Sequence, residues 1–465
     1  MRSLMFLISF LSLMQAAQAD DHWFEALKQS GDDQALYRVL HAMPKGGDLH
    51  NHNSGSVYPE WWLEHAIQAQ ADGYLYYTKV AIENCREYAR RDDQYLLMFR
   101  TIDQQEFKEL SDCEKTEYSR IDALTDVQRT AWQSSLKIDQ ATEGREEFFG
   151  KHWQRLNALL FNPRIRADNL ARNVIALGEE GAIYAEIQVA ALEARQADGS
   201  LVPEDEMIDI FRERLLQRDV VASGMTVRLQ LPVLRFTPGA IDELKTLYGL
   251  AARHPDIVAA INFVGREDND KGYPKRFLPA LRELRRQHDV PLAIHGGEVD
   301  EPNQHVRDTL LLGANRIGHG LNLITDEDTM LAMRHGPYLV ETNLISNLLL
   351  EYVDDLSDHP FPEYLRGDVP VALSTDDRGM WDSTLTDEFY VAVKTFNLTW
   401  PELKRLHQNS ITHAFIADDT KSRLLARHEQ QISKFEKRMT RAGQVEQLGM
   451  PTTRGFICQH FAICK

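Results

Sequence analysis

Histidine and carboxylate residues stand at the ends of several short apolar runs in this sequence. His50 and His52 end one run, His295 ends another, and Asp376 follows a third. Imidazole nitrogens combined with a carboxylate oxygen suit Zn²⁺, whereas Mg²⁺ and Ca²⁺ prefer mostly oxygen ligands. If these four side chains meet, we expect one zinc ion per chain with a position left for water, whose pKa zinc lowers towards ~7.

The spacing of His50 and His52 has a geometric consequence. Side chains two residues apart in a β-strand point to the same side, so both imidazoles can face one point. A His-x-His pair is weak evidence by itself, because most such pairs are ordinary polar residues. Several strand ends that each carry His, Glu or Asp are harder to explain as packing, since barrel cores prefer Val, Ile and Leu.

Three further side chains are candidates for proton transfer. Glu298 follows His295 after two glycines, which permit a turn that returns the carboxylate to the same place. His319 lies between two glycines at the end of another apolar run, and Asp377 is next to Asp376. Because such groups orient metal ligands and move protons, we assign Glu298, His319 and Asp377 to the catalytic chemistry.

Eight runs of strand character would position these residues. They lie at 47–50, 182–189, 226–231, 257–264, 290–295, 316–319, 338–342 and 369–374. Helix-like segments lie between most of them, at 203–218, 238–253, 276–288 and 326–334. This alternation predicts an α/β protein, a (β/α)8 TIM barrel of the metal-dependent hydrolase type, in which functional groups stand at the carboxyl ends of the strands.

Two segments interrupt or precede this alternation. Residues 20–43 have the spacing of an amphipathic helix and could cap the barrel or pack on a second subunit. Well over a hundred residues separate the first two strand runs, too many for one crossover helix. We expect a mostly helical, disulfide-bearing insertion at about 59–125, over the loop face of a catalytic domain that covers 44–465.

Residues 1–19 have the features of a secretory signal peptide. Arg2 precedes an apolar run at 4–14, and small residues at Ala17 and Ala19 form a cleavage site. The run is shorter than the ~18 apolar residues that a membrane anchor requires. We therefore expect cleavage near Ala19 and a secreted or periplasmic mature protein.

The four cysteines fit the oxidising compartment that a signal peptide implies. Cys85 and Cys113 form one local pair and Cys458 and Cys464 another. We predict two disulfides, although three connectivities are formally possible. Neither Cys-x-x-Cys spacing nor a nearby pair of histidines supports a zinc finger.

The composition excludes several partner classes. With 43% hydrophobic and 26% charged residues, the chain is an ordinary globular protein. Its 52 Lys and Arg against 70 Asp and Glu give a net charge of −18, which would repel a phosphate backbone. We expect no nucleic acid and no membrane as a partner.

Four motifs in this order resemble the adenosine deaminase family of zinc amidohydrolases. They are MPKGGDLHNH at 43–52, HGGE at 295–298, RIGHG at 316–320 and STDD at 374–377. The signal peptide, the N-terminal segment, the insertion and ISN at 345–347 are similar to the secreted adenosine deaminase-related growth factor branch. The resemblance covers most of residues 36–420.

The resemblance implies specific roles. In that family the matching positions bind zinc, which here are His50, His52, His295 and Asp376. Glu298 would donate a proton to purine N1 as hydroxide adds at C6, and His319 and Asp377 would orient and help deprotonate the attacking water. Gly265 is similar to a glycine whose backbone N–H meets purine N3. Asn53 stands where relatives have an acidic residue for the sugar 5′-hydroxyl, to which an asparagine can also hydrogen-bond.

The activity that the resemblance implies is hydrolysis of adenosine or 2′-deoxyadenosine to the inosine counterpart and ammonia. The alternatives are a deaminase of adenine, AMP or a modified purine nucleoside, and a non-catalytic extracellular signalling protein on the same scaffold. Intact metal ligands and an intact Glu298 count against the last of these. A homodimer is expected from the family alone. The remaining histidines, His359 among them, are assigned no function.

Overall fold

The computed structural model describes residues 22–85, 96–269, 271–299, 303–441 and 443–464. The proposed signal peptide at 1–19 lies outside these described residues. Within them, every helix is either too short or too polar to cross a bilayer.

Eight parallel strands form the centre of the fold, and three short strands lie in a separate sheet. In chain order the strands are β1 (Gly47–His52), β2 (Tyr76–Lys79), β3 (Thr101–Asp103), β4 (Tyr118–Arg120), β5 (Tyr184–Gln188), β6 (Thr226–Leu234), β7 (Val258–Val264), β8 (Ala293–Gly296), β9 (Arg316–His319), β10 (Leu339–Thr342) and β11 (Val371–Leu373). Each of the eight predicted strand runs corresponds to a different parallel strand, and the predicted ends differ from the observed ends by a few residues.

The parallel strands are arranged in two sheets, in the orders β1-β5-β6-β7 and β11-β10-β9-β8. Isolated parallel bridges join Ile261 of β7 to Leu292, next to β8, and Asn51 of β1 to Asp376, after β11. The edge strands of the two sheets are therefore connected in pairs, β7 with the residue before β8 and β1 with the segment after β11. The α/β arrangement of parallel strands and helices agrees with the prediction from sequence.

Helices surround these strands. They are His22–Gln29, Asp33–Ala42, Pro59–Gln68, Gln104–Glu109, Asp112–Lys115, Asp126–Ser134, Arg145–Glu147, Trp153–Leu156, Pro163–Glu179, Glu204–Leu215, Arg218–Ala222, Ala240–Arg253, Leu278–Leu284, His305–Leu311, Glu327–His335, Leu344–Leu349, Phe361–Arg366, Leu385–Phe396, Trp400–Thr412, Asp418–Met439 and Gly455–Phe461. Because helices cover the strands, β5 and β7 to β11 are buried along their whole length. Such strands appear in the sequence as continuous apolar runs.

The insertion after β1 has an architecture that the sequence did not predict. Its first part is the helix Pro59–Gln68, but its centre is an antiparallel sheet in which β2 pairs with both β3 and β4. Helical segments still cover more of the described residues of this insertion than strands do, so the sheet is an addition to the mostly helical segment expected from the sequence. Strands of three or four residues are too short to leave a recognisable alternating pattern in the sequence.

Both predicted disulfides are present. Cys85 is bonded to Cys113 within the insertion, and Cys458 is bonded to Cys464 near the C-terminus. The first joins a segment after β2 to the helix Asp112–Lys115, so it links two parts of the inserted sheet region.

The N-terminal segment packs against the C-terminal part of its own chain. The Trp23 ring lies 5.0 Å from that of Trp400 and 6.1 Å from that of Phe435. Lys28 Nζ donates to the backbone oxygen of Leu398. The sequence left open whether this segment covers its own chain or a second subunit, and these contacts show that it covers its own chain.

Candidate metal centre and catalytic pocket

Parallel strands bring the predicted metal ligands to one point. His50 and His52 lie in β1, His295 lies in β8, and Asp376 comes shortly after β11. One ligand atom from each of the four side chains lies within 4.8 Å of the others. The carboxyl ends of parallel strands meet at one rim, which is why residues so distant in sequence converge.

The four side chains form a set of electron-pair donors. Asp376 Oδ1 lies 3.2 Å from His52 Nε2 and 3.5 Å from His50 Nε2. His52 Nε2 is also 3.2 Å from His295 Nε2. Among the described residues the buried Nε2 of His50 has no hydrogen-bond partner. A buried polar atom without a partner is costly, and a cation held by nitrogen and oxygen ligands such as Zn²⁺ would satisfy it.

Acceptors hold the opposite ring nitrogens of two ligands. Glu341 Oε2 lies 2.8 Å from His50 Nδ1, and Asn262 Oδ1 lies 2.9 Å from His295 Nδ1. These contacts place the ring protons on Nδ1 and direct the Nε2 lone pairs towards the cluster.

Sequence reasoning missed Glu341 and Asn262. A polar residue inside an apolar strand, as in LVET of β10 and VAAINFV of β7, is the signal that could have found both.

The carboxylate ligand is held by its side chain and its backbone. Ser346 Oγ donates to Asp376 Oδ2 at 2.6 Å, and the Asp376 N–H donates to the backbone oxygen of His50 at 2.8 Å. Asp376 has a φ of 53° and His319 a φ of 63°. A non-glycine residue in this region costs about 1–3 kcal/mol and persists where the surroundings impose it, often at functional sites.

Glu298 returns to the site through the turn that its glycines predicted. Gly297 has a φ of +80°, and a Cβ there would lie 2.8 Å from Val306, so the position requires glycine. The Glu298 carboxyl is buried, with Oε1 3.7 Å from His319 Nε2. Burial, with the negative charge of Asp376, raises the pKa of Glu298 well above its ordinary value. The protonated acid is therefore favoured at this position.

Asp377 is also buried, and its Oδ1 has no hydrogen-bond partner among the described residues. Burial and the charge of Asp376 raise the pKa of Asp377 as well. A cation held by the four ligands would act in the opposite direction and favour the carboxylate.

The two residues that the resemblance assigned to substrate binding lie at strand ends. Gly265 follows β7 with a φ of +91°, and a Cβ there would lie 2.6 Å from the Phe236 ring. Asn53 follows β1 and is buried, with Nδ2 donating to the Arg166 backbone oxygen at 3.0 Å. One of the two Nδ2 hydrogens is engaged there, so the second hydrogen and the unpartnered Asn53 Oδ1 remain for another polar group.

Sequence comparison relates the chain to known proteins. Residues 129–431 match the family model described as Adenosine deaminase. The chain is 31% identical to the Adenosine deaminase-like protein of Drosophila melanogaster over 196 residues, 42% of this chain and 56% of that protein. It is 31% identical to the adenosine deaminase of Enterococcus faecalis over 156 residues, 34% of this chain and 46% of that protein. The chain thus spans about half the length of these curated relatives.

Structural comparison gives a longer match at lower identity. Arabidopsis ADAL, complexed with GMP, matches with a TM-score of 0.62 and 19% identity over 84% of this chain and 98% of that chain. An amidohydrolase from Burkholderia ambifaria, with bound Zn, matches with a TM-score of 0.62 and 18% identity over 87% of this chain and 94% of that chain. At such identities the likeness shows a shared fold.

Proposed function

The chain belongs to the adenosine deaminase family, and we propose that it is a zinc-dependent enzyme that hydrolyses adenosine or 2′-deoxyadenosine to the inosine counterpart and ammonia. One observation carries the proposal: the ligand atoms of His50, His52, His295 and Asp376 lie within 4.8 Å of one another. Three imidazoles and one carboxylate are a donor set that zinc prefers, and a catalytic zinc site keeps one position open.

Zinc, when bound, would supply the polarisation that activates water at neutral pH. Addition of water oxygen at purine C6 breaks the aromatic ring system, so a proton given to N1 in the same step lowers the barrier. Glu298 is the group for this step, because it is buried and its pKa is raised. Asp377 orients the attacking water, and the backbone N–H of Gly265 meets purine N3.

Charge at the rim supports a neutral nucleoside over a nucleotide. In the loop after β7, Arg266 pairs with Asp268 at 2.6 Å and with Glu146 at 2.6 Å. Arg145 pairs with the same Asp268 at 3.2 Å. These carboxylates balance the charge of both guanidiniums and would compete with a phosphate for them. We therefore rank AMP below adenosine, although the related ADAL fold was solved with GMP.

The wider organisation is part of the proposal. We infer that the eight parallel strands form one closed (β/α)8 barrel in a catalytic domain over 44–465, because bridges join the two sheets at both edges. We also propose a secreted or periplasmic protein that is cleaved near Ala19. Two disulfides support an oxidising compartment.

Ultraviolet absorbance tests the activity directly. Purified protein, with and without a chelator, is mixed with adenosine, adenine or AMP, and kcat/KM is compared. We expect loss of adenosine absorbance that the chelator abolishes and that added zinc restores. A strong preference for AMP or adenine would overturn the proposed substrate. No turnover of any of the three by zinc-loaded protein would favour the non-catalytic alternative.

A further inference from the structure

A line of buried hydrogen bonds connects His319 to His359, a histidine to which the sequence assigned no function. The Phe361 N–H donates to His359 Nδ1 at 3.0 Å. His359 Nε2 lies 3.1 Å from Asn347 Oδ1, and Asn347 Nδ2 lies 3.2 Å from His319 Nδ1. His319, Asn347 and His359 are all buried.

The donor and acceptor of each hydrogen bond in this line follow from the bond between Phe361 and His359. A backbone N–H can only donate, so His359 Nδ1 must be the unprotonated acceptor and its ring proton must be on Nε2. That proton is donated to the Asn347 oxygen, which turns the Asn347 amide nitrogen towards His319. An amide nitrogen also only donates, so His319 Nδ1 accepts and the His319 ring proton is on Nε2.

A second amide near His319 competes with this arrangement. Asn343 lies 3.4 Å from His319 Nδ1. Its own nitrogen is best satisfied when it donates to the backbone oxygens of Ser374 and Thr342, which turns its oxygen towards the ring. That oxygen would favour a proton on Nδ1. The Asn347 contact is the shorter of the two and His359 sets its direction, so it decides the position of the proton.

The other ring nitrogen faces the site. His319 Nε2 is buried without a hydrogen-bond partner among the described residues, and it lies 3.7 Å from Glu298 Oε1. Three polar side-chain atoms, one each from His295, Glu298 and His319, lie within 4.8 Å of one another. A proton on Nε2 would therefore point at the place where the reaction occurs.

We propose that His359 is a positioning residue that acts through Asn347 to keep the His319 ring proton on Nε2. His319 then acts as a hydrogen-bond donor to the oxygen that bonds to C6, instead of removing a proton from water. As the C–O bond forms, the water proton passes to a carboxylate, assigned above as Asp377, and the Glu298 proton passes to N1. The catalytic part of this inference rests on the proposed function, but the position of the ring proton does not.

Nuclear magnetic resonance tests the proton position. Long-range ¹H–¹⁵N spectra of the zinc-loaded protein, labelled with ¹⁵N-histidine, distinguish protonated from unprotonated ring nitrogens, and His319→Gln identifies the His319 signals. We expect a proton on Nε2 in the unmodified protein. Asn347→Asp should move it to Nδ1, because a carboxylate accepts there. A proton on Nδ1 in the unmodified protein would overturn the inference.

Kinetics tests the role of His359. In His359→Gln the side chain can accept from Phe361 and donate to Asn347, whereas His359→Leu can do neither. We expect His359→Leu to lower kcat roughly 10–100-fold, the range typical for loss of an outer hydrogen-bond partner. KM and zinc content should change little, because His319 is not one of the proposed metal ligands. His359→Gln should restore most of the kcat. The exposed His288→Leu is the matched control.

The outcomes separate the two proposals. If His359→Leu is folded and keeps both its kcat and the proton on Nε2, the inference is wrong. If His359→Leu does not fold, the isosteric Asn347→Asp decides, and an unmoved proton there contradicts the inference. If the unmodified protein deaminates none of the substrates, the proposed function is wrong. The spectra would still determine the position of the His319 ring proton independently.

Discussion

Glu341 Oε2 lies 2.8 Å from Nδ1 of His50, while Nε2 of the same ring faces Asp376. Glu341 Oε1 accepts from Arg316 at 2.6 Å, and Arg316 pairs with Glu186 at 2.6 Å. All of these side chains are almost completely buried. An ion-pair network among the parallel strands therefore holds His50, one of the proposed metal ligands, in its orientation. Its members depend on one another because each would otherwise be a buried unpaired charge.

Glu341→Gln is expected to weaken metal binding. The amide keeps the size of the side chain but is a poorer acceptor for the His50 proton, and partners of this kind typically contribute 10–100-fold to metal affinity. Competition with a chromophoric chelator would measure the zinc Kd, which we expect to rise by roughly 10–100-fold. The exposed Glu327→Gln is the control. An unchanged Kd would show that Glu341 has no part in holding the ion.

Glu298→Gln is expected to abolish deamination while zinc is retained. The glutamine side chain has no proton to give to purine N1, and general acid catalysis contributes about 10²–10⁴-fold to rate. The kcat for adenosine should fall by about 10²–10⁴-fold. Metal analysis should still return about one zinc per chain. Turnover close to that of the unmodified enzyme would refute the role of Glu298 as proton donor.

Gly55→Ala is expected to displace Asp377. A Cβ at Gly55 would overlap the Asp377 carboxylate, so that side chain would have to rotate away. We expect kcat to fall by about 10²-fold, as is typical of a small misplacement at an active site. The control is Gly239→Ala, where nothing lies within 4 Å of the added Cβ. Equal kcat values for the two variants would mean that the position of Asp377 is unimportant.

The Tyr37–Asp387 contact predicts a pH-dependent stability. Tyr37 Oη donates to Asp387 Oδ1 at 2.7 Å, which links the helix Asp33–Ala42 to the helix Leu385–Phe396. Burial raises the pKa of Asp387 to about 7. In the unfolded chain the pKa of an aspartate is ~3.9. Between about pH 4 and pH 7 the folded protein therefore keeps a proton on Asp387 that the unfolded chain has released. The associated stabilisation is complete below about pH 4 and is lost as the pH rises through about 7.

Asp387→Asn should remove this dependence. Denaturant unfolding of both proteins from pH 4 to pH 8 would give the free energy of unfolding at each pH, provided that the transitions are two-state. We expect the unmodified protein to lose on the order of a few kcal/mol relative to the variant as the pH rises. A difference that does not vary with pH would contradict a proton held by Asp387 in the folded state.

Export predicts a defined N-terminus. The chain expressed from Met1 in a secreting host should be recovered outside the cytoplasm with Asp20 as its first residue, because small residues at Ala17 and Ala19 form the proposed cleavage site. Ala19→Leu should leave the chain uncut. N-terminal sequencing measures both. A chain that keeps Met1 and remains in the cytoplasm would contradict the proposed secretion.

Part of this protein could be predicted from residue order alone. The eight parallel strands and the convergence of His50, His52, His295 and Asp376 follow from short apolar runs that end in polar residues. In a parallel sheet, the chain direction puts all such ends on one rim. The two disulfides followed from the short separations between paired cysteines. The strands and their ends depend on local sequence and on chain direction in a parallel sheet, and the disulfides depend on cysteine positions alone.

Contacts between distant residues needed the folded chain. The antiparallel sheet of the insertion, the Glu341 partner of His50, the engaged donor of Asn53 and the line from His359 to His319 were all missing from the sequence analysis. Glu341 and His50 are 291 positions apart, and no periodicity links them. Only tertiary structure decides which buried donor meets which buried acceptor, because that pairing depends on packing across the whole core.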